Sequence, residues 1–270
     1  MKEIPFSPEN NLILTTENTA SVLQHIGQER EQKGKSEQLI PQIDNLRQQA
    51  EKNNDFTTAL VLFQEKMLCS QHLIMEAKTE KNPTKATKGL FLTDKTAKEM
   101  IDFQQAHQDK IDPITSARTD RFLGRYYDRL HQFKKSEQLY QKGLDFFNSL
   151  ESVDQKYNQL EFSGFLAFSK LKQKKTDWFD LTTQTLSNFD KSPEGIWLRN
   201  TDYYTWAVWK SGIEIRTSDA LLNTKYQKKY QKNINFWIKD ADSILTMPDG
   251  NRNVFQLRLD ELNAVKAKLK

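Results

Sequence analysis

Arg118, Arg121, Arg125 and Arg129 stand at intervals of three, four and four residues. On a helix that spacing lines four guanidinium groups along one stripe. Like charges so placed repel by roughly 0.2–0.5 kcal/mol per pair, so an anionic complement would relieve them. Guanidinium forks grip carboxylates and phosphates through paired hydrogen bonds, and the chemistry this stripe offers is therefore capture of an anion. The competing reading is a salt-bridged surface, with Asp120, Asp128 or acids of a neighbouring helix neutralising the stripe.

A second group is aromatic: Trp197, Tyr203, Tyr204, Trp206 and Trp209. These positions span more than one helical face. A ring left outside the tightest packing makes a peptide anchor or a stacking platform, whereas a helix packed on several sides buries all of them. Trp206 and Trp209 join the four arginines as candidate partner-binding residues. In a third stretch, Lys225 to Lys232, a Tyr-Gln-Lys unit recurs after four residues. Interleaved bases and aromatics can hold nucleic acid or acidic protein, but a helix that buries its tyrosines and solvates its lysines has the same pattern.

Signals for catalysis are missing. His25, His72, His107 and His131 are scattered without the pairing that a metal or a nucleophile needs, and there is no Walker-type glycine loop, dinucleotide fingerprint or nucleophile elbow. Cys69 lies in an apolar helical stretch, where a buried structural thiol is the default. The sequence predicts a non-catalytic protein that uses no cofactor and no metal.

The elements that position the arginine stripe follow from periodicity. Phe122, Leu123, Tyr126, Tyr127 and Leu130 recur at helical spacing, residues 132–135 interrupt, and Leu139, Tyr140, Leu144, Phe146 and Phe147 resume. This predicts a helical hairpin across residues 119–149, with Gly124 and Ser136 allowing close approach and Tyr127 and Tyr140 filling the space between. The pattern Leu123-Gly124-x-x-Tyr127 followed by Ser136-x-x-x-Tyr140 resembles a tetratricopeptide repeat, although Asp120 and Asn148 occupy its Trp and Pro positions. Leu46, Ala50, Ala59 and Phe63 resemble a degenerate copy in which Arg47 replaces the glycine. The resemblance implies an all-α, right-handed superhelix of stacked antiparallel helix hairpins. It also implies a concave groove lined by the first helix of each hairpin, where Arg121 and Arg125 would hold a terminal carboxylate or acidic side chains of a bound peptide.

Only 9 Gly and 7 Pro among 270 residues, with 28% charged, agree with long helices and short loops. The expected organisation is an irregular lead-in over residues 1–15 and one helical repeat domain over residues 16–270, with a flexible loop near residues 78–92. Other expectations are Pro41 in a first helical turn, a helix start at Ser192-Pro193-Glu194, a long helix over residues 218–245 stopped by Pro248-Asp249-Gly250, and a last helix over residues 252–269. A single cysteine excludes an internal disulfide, residues 1–11 lack the apolar core of a signal peptide, and no apolar run reaches the roughly 18 residues of a membrane span. The expectation is a soluble cytoplasmic protein with no membrane partner. A net charge of +4 is too mild to demand nucleic acid. The function expected is a protein- or peptide-binding module selecting acidic segments, with a regulatory or nucleic-acid-associated protein, or an assembly subunit, as the alternative.

Overall fold

The structure, a computed structural model, describes residues 13–246 and 256–269. Among these the chain is all-α, without a strand. The helices are α1 (Thr19–Arg30), α2 (Ser36–Lys52), α3 (Phe56–Glu80), α4 (Pro83–Ala106), α5 (Pro113–Arg129), α6 (Phe133–Asn148), α7 (Val153–Lys156), α8 (Asn158–Lys172), α9 (Trp178–Lys191), α10 (Pro193–Thr201), α11 (Tyr203–Leu221), α12 (Gln227–Leu245) and α13 (Gln256–Lys268).

Consecutive helices pack as neighbours, and α3, α5, α8 and α11 also touch in succession, so these four form an inner row. The central hairpin, α5 and α6, shows how the sequence enforces the packing. A Cβ on Gly124 would lie 2.3 Å from Cε1 of Tyr140, so only glycine lets α6 bring that ring against α5. Tyr140 is fully buried, and its hydroxyl donates to Asp128 at 2.7 Å. Ser136, also fully buried, lies 3.0 Å from the Ser169 hydroxyl of α8, which ties this hairpin to the next.

Helix starts are chemically specified. The side chains of Asp55, Asn82, Asp112, Ser192 and Asp202 each accept a hydrogen bond from a backbone N–H of the first turn, and Pro83, Pro113 and Pro193 follow their caps directly.

Several expected boundaries move. The loop placed near residues 78–92 is helical: α3 runs to Glu80 and α4 starts at Pro83, leaving a two-residue turn in which Lys81 takes φ 54° and Asn82 caps α4. The reason is tertiary: α4 packs along α3, and Gly89 is buried so close to it that a Cβ would meet Ile74 at 2.8 Å. Pro41 sits inside α2 and not in its first turn, because α2 starts back at Ser36 and buries Leu39, Ile40, Ile43 and Leu46 along one face. The helix expected over residues 218–245 is broken. Leu222 is extended and Asn223 has φ 59°, so α11 turns back on itself as α12. The Pro248-Asp249-Gly250 stop and the start of the last helix at Arg252 lie outside the described residues.

The last helix closes the inner row. α13 packs on α11, α12 and α3, and Lys33, between α1 and α2, reaches Asp260 of α13 at 3.5 Å. The inner face therefore surrounds a cavity, with helices from both ends of the chain in its wall.

Candidate functional site

α1, α3, α5, α8, α11 and α13 together line a cavity of about 410 Å³. Its wall carries six arginines: Arg30, Arg118, Arg121, Arg125, Arg216 and Arg258. Five acids face them, namely Glu31, Glu65, Glu161, Asp202 and Glu261.

The pairing is uneven. Arg30 of α1 donates to Glu65 at 2.8 Å and also pairs with Glu31. Burial opposes its charge, yet Glu65 and Glu31 hold it above the ordinary arginine value. Arg121 of α5 donates to Glu161 of α8 at 2.6 Å, and Arg258 of α13 pairs with Glu261 one turn on. Arg118, Arg125 and Arg216 have no carboxylate within ion-pair distance among the described residues.

Arg125 and Arg216 share an aromatic ring instead. Their guanidinium carbons lie 5.4 Å and 4.6 Å from the centre of the Phe165 ring on α8. Arg216 also donates from Nε to the Gly212 carbonyl at 2.8 Å. Gly212 is the reason a third guanidinium fits alongside. A Cβ there would lie 2.9 Å from Arg216 Nη2 and 3.1 Å from Arg258 Cζ, so the bare backbone of α11 is the seat for both.

Burial and the neighbouring cations depress these groups. Arg216 is pushed down to about 9 by burial, then by Arg258 and Arg125. Arg125 falls to about 10 by burial and by Arg129, and Arg121 to about 10 by burial against the opposing pull of Glu161. Each remains a cation at neutral pH. The polar wall also includes Gln71 of α3, which is 1% exposed; among the described residues neither of its amide atoms has a hydrogen-bond partner, and buried Arg258 Nε has none either. His72 is held neutral, pushed down to about 4 by burial and by Arg30, with Nδ1 3.1 Å from the Arg30 carbonyl oxygen.

Of the four arginines and the aromatic group singled out in the sequence, Arg118, Arg121, Arg125, Tyr204 and Trp209 line this cavity. Trp209 stacks on Tyr157 with 5.8 Å between ring centres. Arg129 points away, one turn beyond, and its Nη1 lies 3.4 Å from the Thr93 hydroxyl of α4. Trp206 is packed in the core at 3% exposure, with its indole N–H donating to the Phe189 carbonyl at 2.9 Å. Of the acids expected to neutralise the stripe, Asp120 pairs instead with Lys142 at 3.0 Å and Asp128 accepts from Tyr140, whereas an acid of a neighbouring helix, Glu161 of α8, does neutralise Arg121. In the stretch from Lys225 to Lys232 the lysines are exposed, while Tyr230 packs against Trp178 and Phe179.

No protein-family model, curated protein or solved structure matches the chain. The site thus stands on its own geometry.

Sequence reasoning missed Arg216, Arg258, Gln71 and Phe165. One signal was present: Arg216 interrupts a helix whose other positions are mostly buried, and a charge in such a helix demands an internal partner. Nothing in the sequence joins positions 71, 125, 165, 216 and 258.

The described residues contain no group of three or more His, Cys, Asp or Glu side chains able to hold a metal ion, and no helix long and apolar enough to cross a membrane.

Proposed function

We propose that this chain is a binding module, built as a right-handed superhelix of tetratricopeptide-like hairpins, whose inner cavity takes an acidic part of a protein or peptide segment. The observation that carries the reading is the convergence of Arg118 and Arg125 from α5, Arg216 from α11 and Arg258 from α13 on one cavity wall, with Glu261 as the only carboxylate among the described residues paired to any of the four. Buried cations without partners cost stability, and an arrangement that keeps them is understandable where an anion supplies the missing charge. The aromatic side of the cavity, Tyr157 and Trp209, gives apolar contact to the rest of the segment. Because the wall is assembled from six helices already packed on one another, most of the ordering cost on binding falls on the ligand.

The volume, about 410 Å³, suits a chain end or a few side chains and not a folded surface. The cavity shares Arg30, Glu31, Asp202 and Tyr204 with a second one of about 950 Å³ between α1 and α11, which gives the remainder of a segment a path outward. The role is binding without chemistry, in the cytoplasm.

Fluorescence anisotropy with a labelled library of short Asp- and Glu-rich peptides tests this. Binding that is lost in Arg118→Gln/Arg125→Gln, with helical circular dichroism unchanged, supports it. Equal binding by the folded double variant refutes it.

A further inference from the structure

We propose that Arg125, Arg216 and Arg258 form a subsite for a dianionic phosphoryl group carried by the cavity's ligand. The inference rests on the reading of the cavity as an anion-binding site and sharpens it. Three guanidinium groups are brought together by two shared supports: Arg125 and Arg216 flank the Phe165 ring, and Arg216 and Arg258 lie over the bare backbone of Gly212. Among the described residues Glu261 is the one carboxylate paired with the trio. Three cations against one carboxylate leave two positive charges. A carboxylate ligand would cancel one of them; a phosphoryl group, with a charge of about −1.5 to −2 at neutral pH and three acceptor oxygens, cancels both.

Two further donors wait at the same wall. Among the described residues nothing partners buried Arg258 Nε or the amide of Gln71, a residue 1% exposed in the lining of the cavity. Buried donors without partners are rare, and where they face a polar cavity a bound group accounts for them. A tetrahedral oxyanion presents oxygens in several directions and can accept from donors on different helices. A planar carboxylate accepts mainly in its own plane and is matched by one guanidinium fork. Here the donors come from α3, α5, α11 and α13, so no single fork serves them all.

The test uses the full chain and three probes: a phosphoserine peptide, the same peptide with glutamate in place of phosphoserine, and a sugar phosphate. Affinity is followed by calorimetry between pH 5.5 and 7.5. The second ionisation of a phosphate ester lies near pH ~6, whereas the arginines keep their charge throughout and His72 is already neutral. The expected result is phosphorylated-probe binding at least tenfold tighter than glutamate-peptide binding, strengthening across that ionisation while glutamate-peptide binding stays flat. Whichever phosphorylated probe binds tighter tells a protein source from a small-molecule one. Arg216→Gln is expected to weaken phosphorylated-probe binding at least tenfold without lowering the melting temperature, because it removes a repelled cation. Gly212→Ala keeps every charge but displaces Arg216 and Arg258, and should weaken binding as well. Equal affinity for the phosphoserine and glutamate peptides, or undiminished binding in a folded Arg216→Gln, overturns the phosphoryl subsite while leaving the acidic-ligand reading in place. Failure of all three probes overturns both.

Discussion

Arg121 and Glu161, forty positions apart in sequence, meet at 2.6 Å in the wall of the inner cavity, with both side chains about nine-tenths buried. This pair separates Arg121 from its neighbours on the stripe. Arg118 and Arg125 have no carboxylate within ion-pair distance among the described residues, whereas Arg121 ties α5 to α8.

Arg121→Ala should therefore destabilise the fold by about 3–5 kcal/mol, because it leaves Glu161 buried and uncompensated. Arg125→Gln, which removes no ion pair, should cost less than about 0.5 kcal/mol. Urea denaturation of the two variants checks this directly, and a larger loss in Arg125→Gln than in Arg121→Ala would contradict the assignment of roles.

Two glycine substitutions should have opposite signs. Gly124→Ala drives a methyl group into the Tyr140 ring, and overpacking of that kind costs about 1–3 kcal/mol, against a helix-propensity gain of about 1 kcal/mol. Gly27→Ala, in α1, meets nothing nearer than Arg30 Nη2 at 4.0 Å and should stabilise by up to about 1 kcal/mol. Thermal melts of both proteins read the difference.

His72 gives the fold an acid sensitivity. Its folded value is pushed down to about 4, below the ordinary value of ~6.5, so the unfolded chain binds the proton more readily between those limits. Stability contributed by this group is complete above pH ~6.5 and is lost as pH falls toward 4. The span of about 2.5 units corresponds to about 3 kcal/mol at most. His72→Gln should flatten that part of the stability profile, measured as urea midpoints from pH 4 to 7.

Glu214 acts in the opposite sense. It is 1% exposed, and burial followed by a hydrogen bond to Asp240 raises it well above the usual carboxylate range, since Lys210 must already serve Asp190 and Asp240 at 2.8 and 2.9 Å. A raised carboxyl stabilises the fold while protonated, and that contribution declines as pH climbs from about 4.3 toward the folded value. Glu214→Gln mimics the protonated form. It should equal wild type near pH 4 and exceed it at pH 8, with the gap widening between; a variant less stable at every pH would show that Glu214 is folded as a carboxylate.

Much of the local architecture was legible in the chain. Gly124, Ser136 and Tyr140 identified the central hairpin because a missing Cβ, a small side chain and a large ring are what two closely packed helices require. Ser192-Pro193 marked a helix start because capping and a fixed φ are local chemistry. Where the reading missed, a long-range contact had overridden a local signal. The polar stretch on either side of Lys81 looks like a loop, yet all but the turn at Lys81 and Asn82 is helical because α4 packs along α3, with Gly89 against Ile74. The reverse happened at Leu222 and Asn223, where helical periodicity ran on but the chain had to turn back to pack α12 on α11.

The cavity divides the same way. Spacing alone put Arg118, Arg121 and Arg125 on one face, because three- and four-residue intervals have that meaning on any helix. Periodicity fixes a direction around one axis and carries no information about which other axes lie opposite. Only the packing of α8, α11 and α13 against α5 and α3 decided that Arg121 has Glu161, that Arg125 shares Phe165 with Arg216, and that Trp206 is buried while Trp209 reaches the cavity.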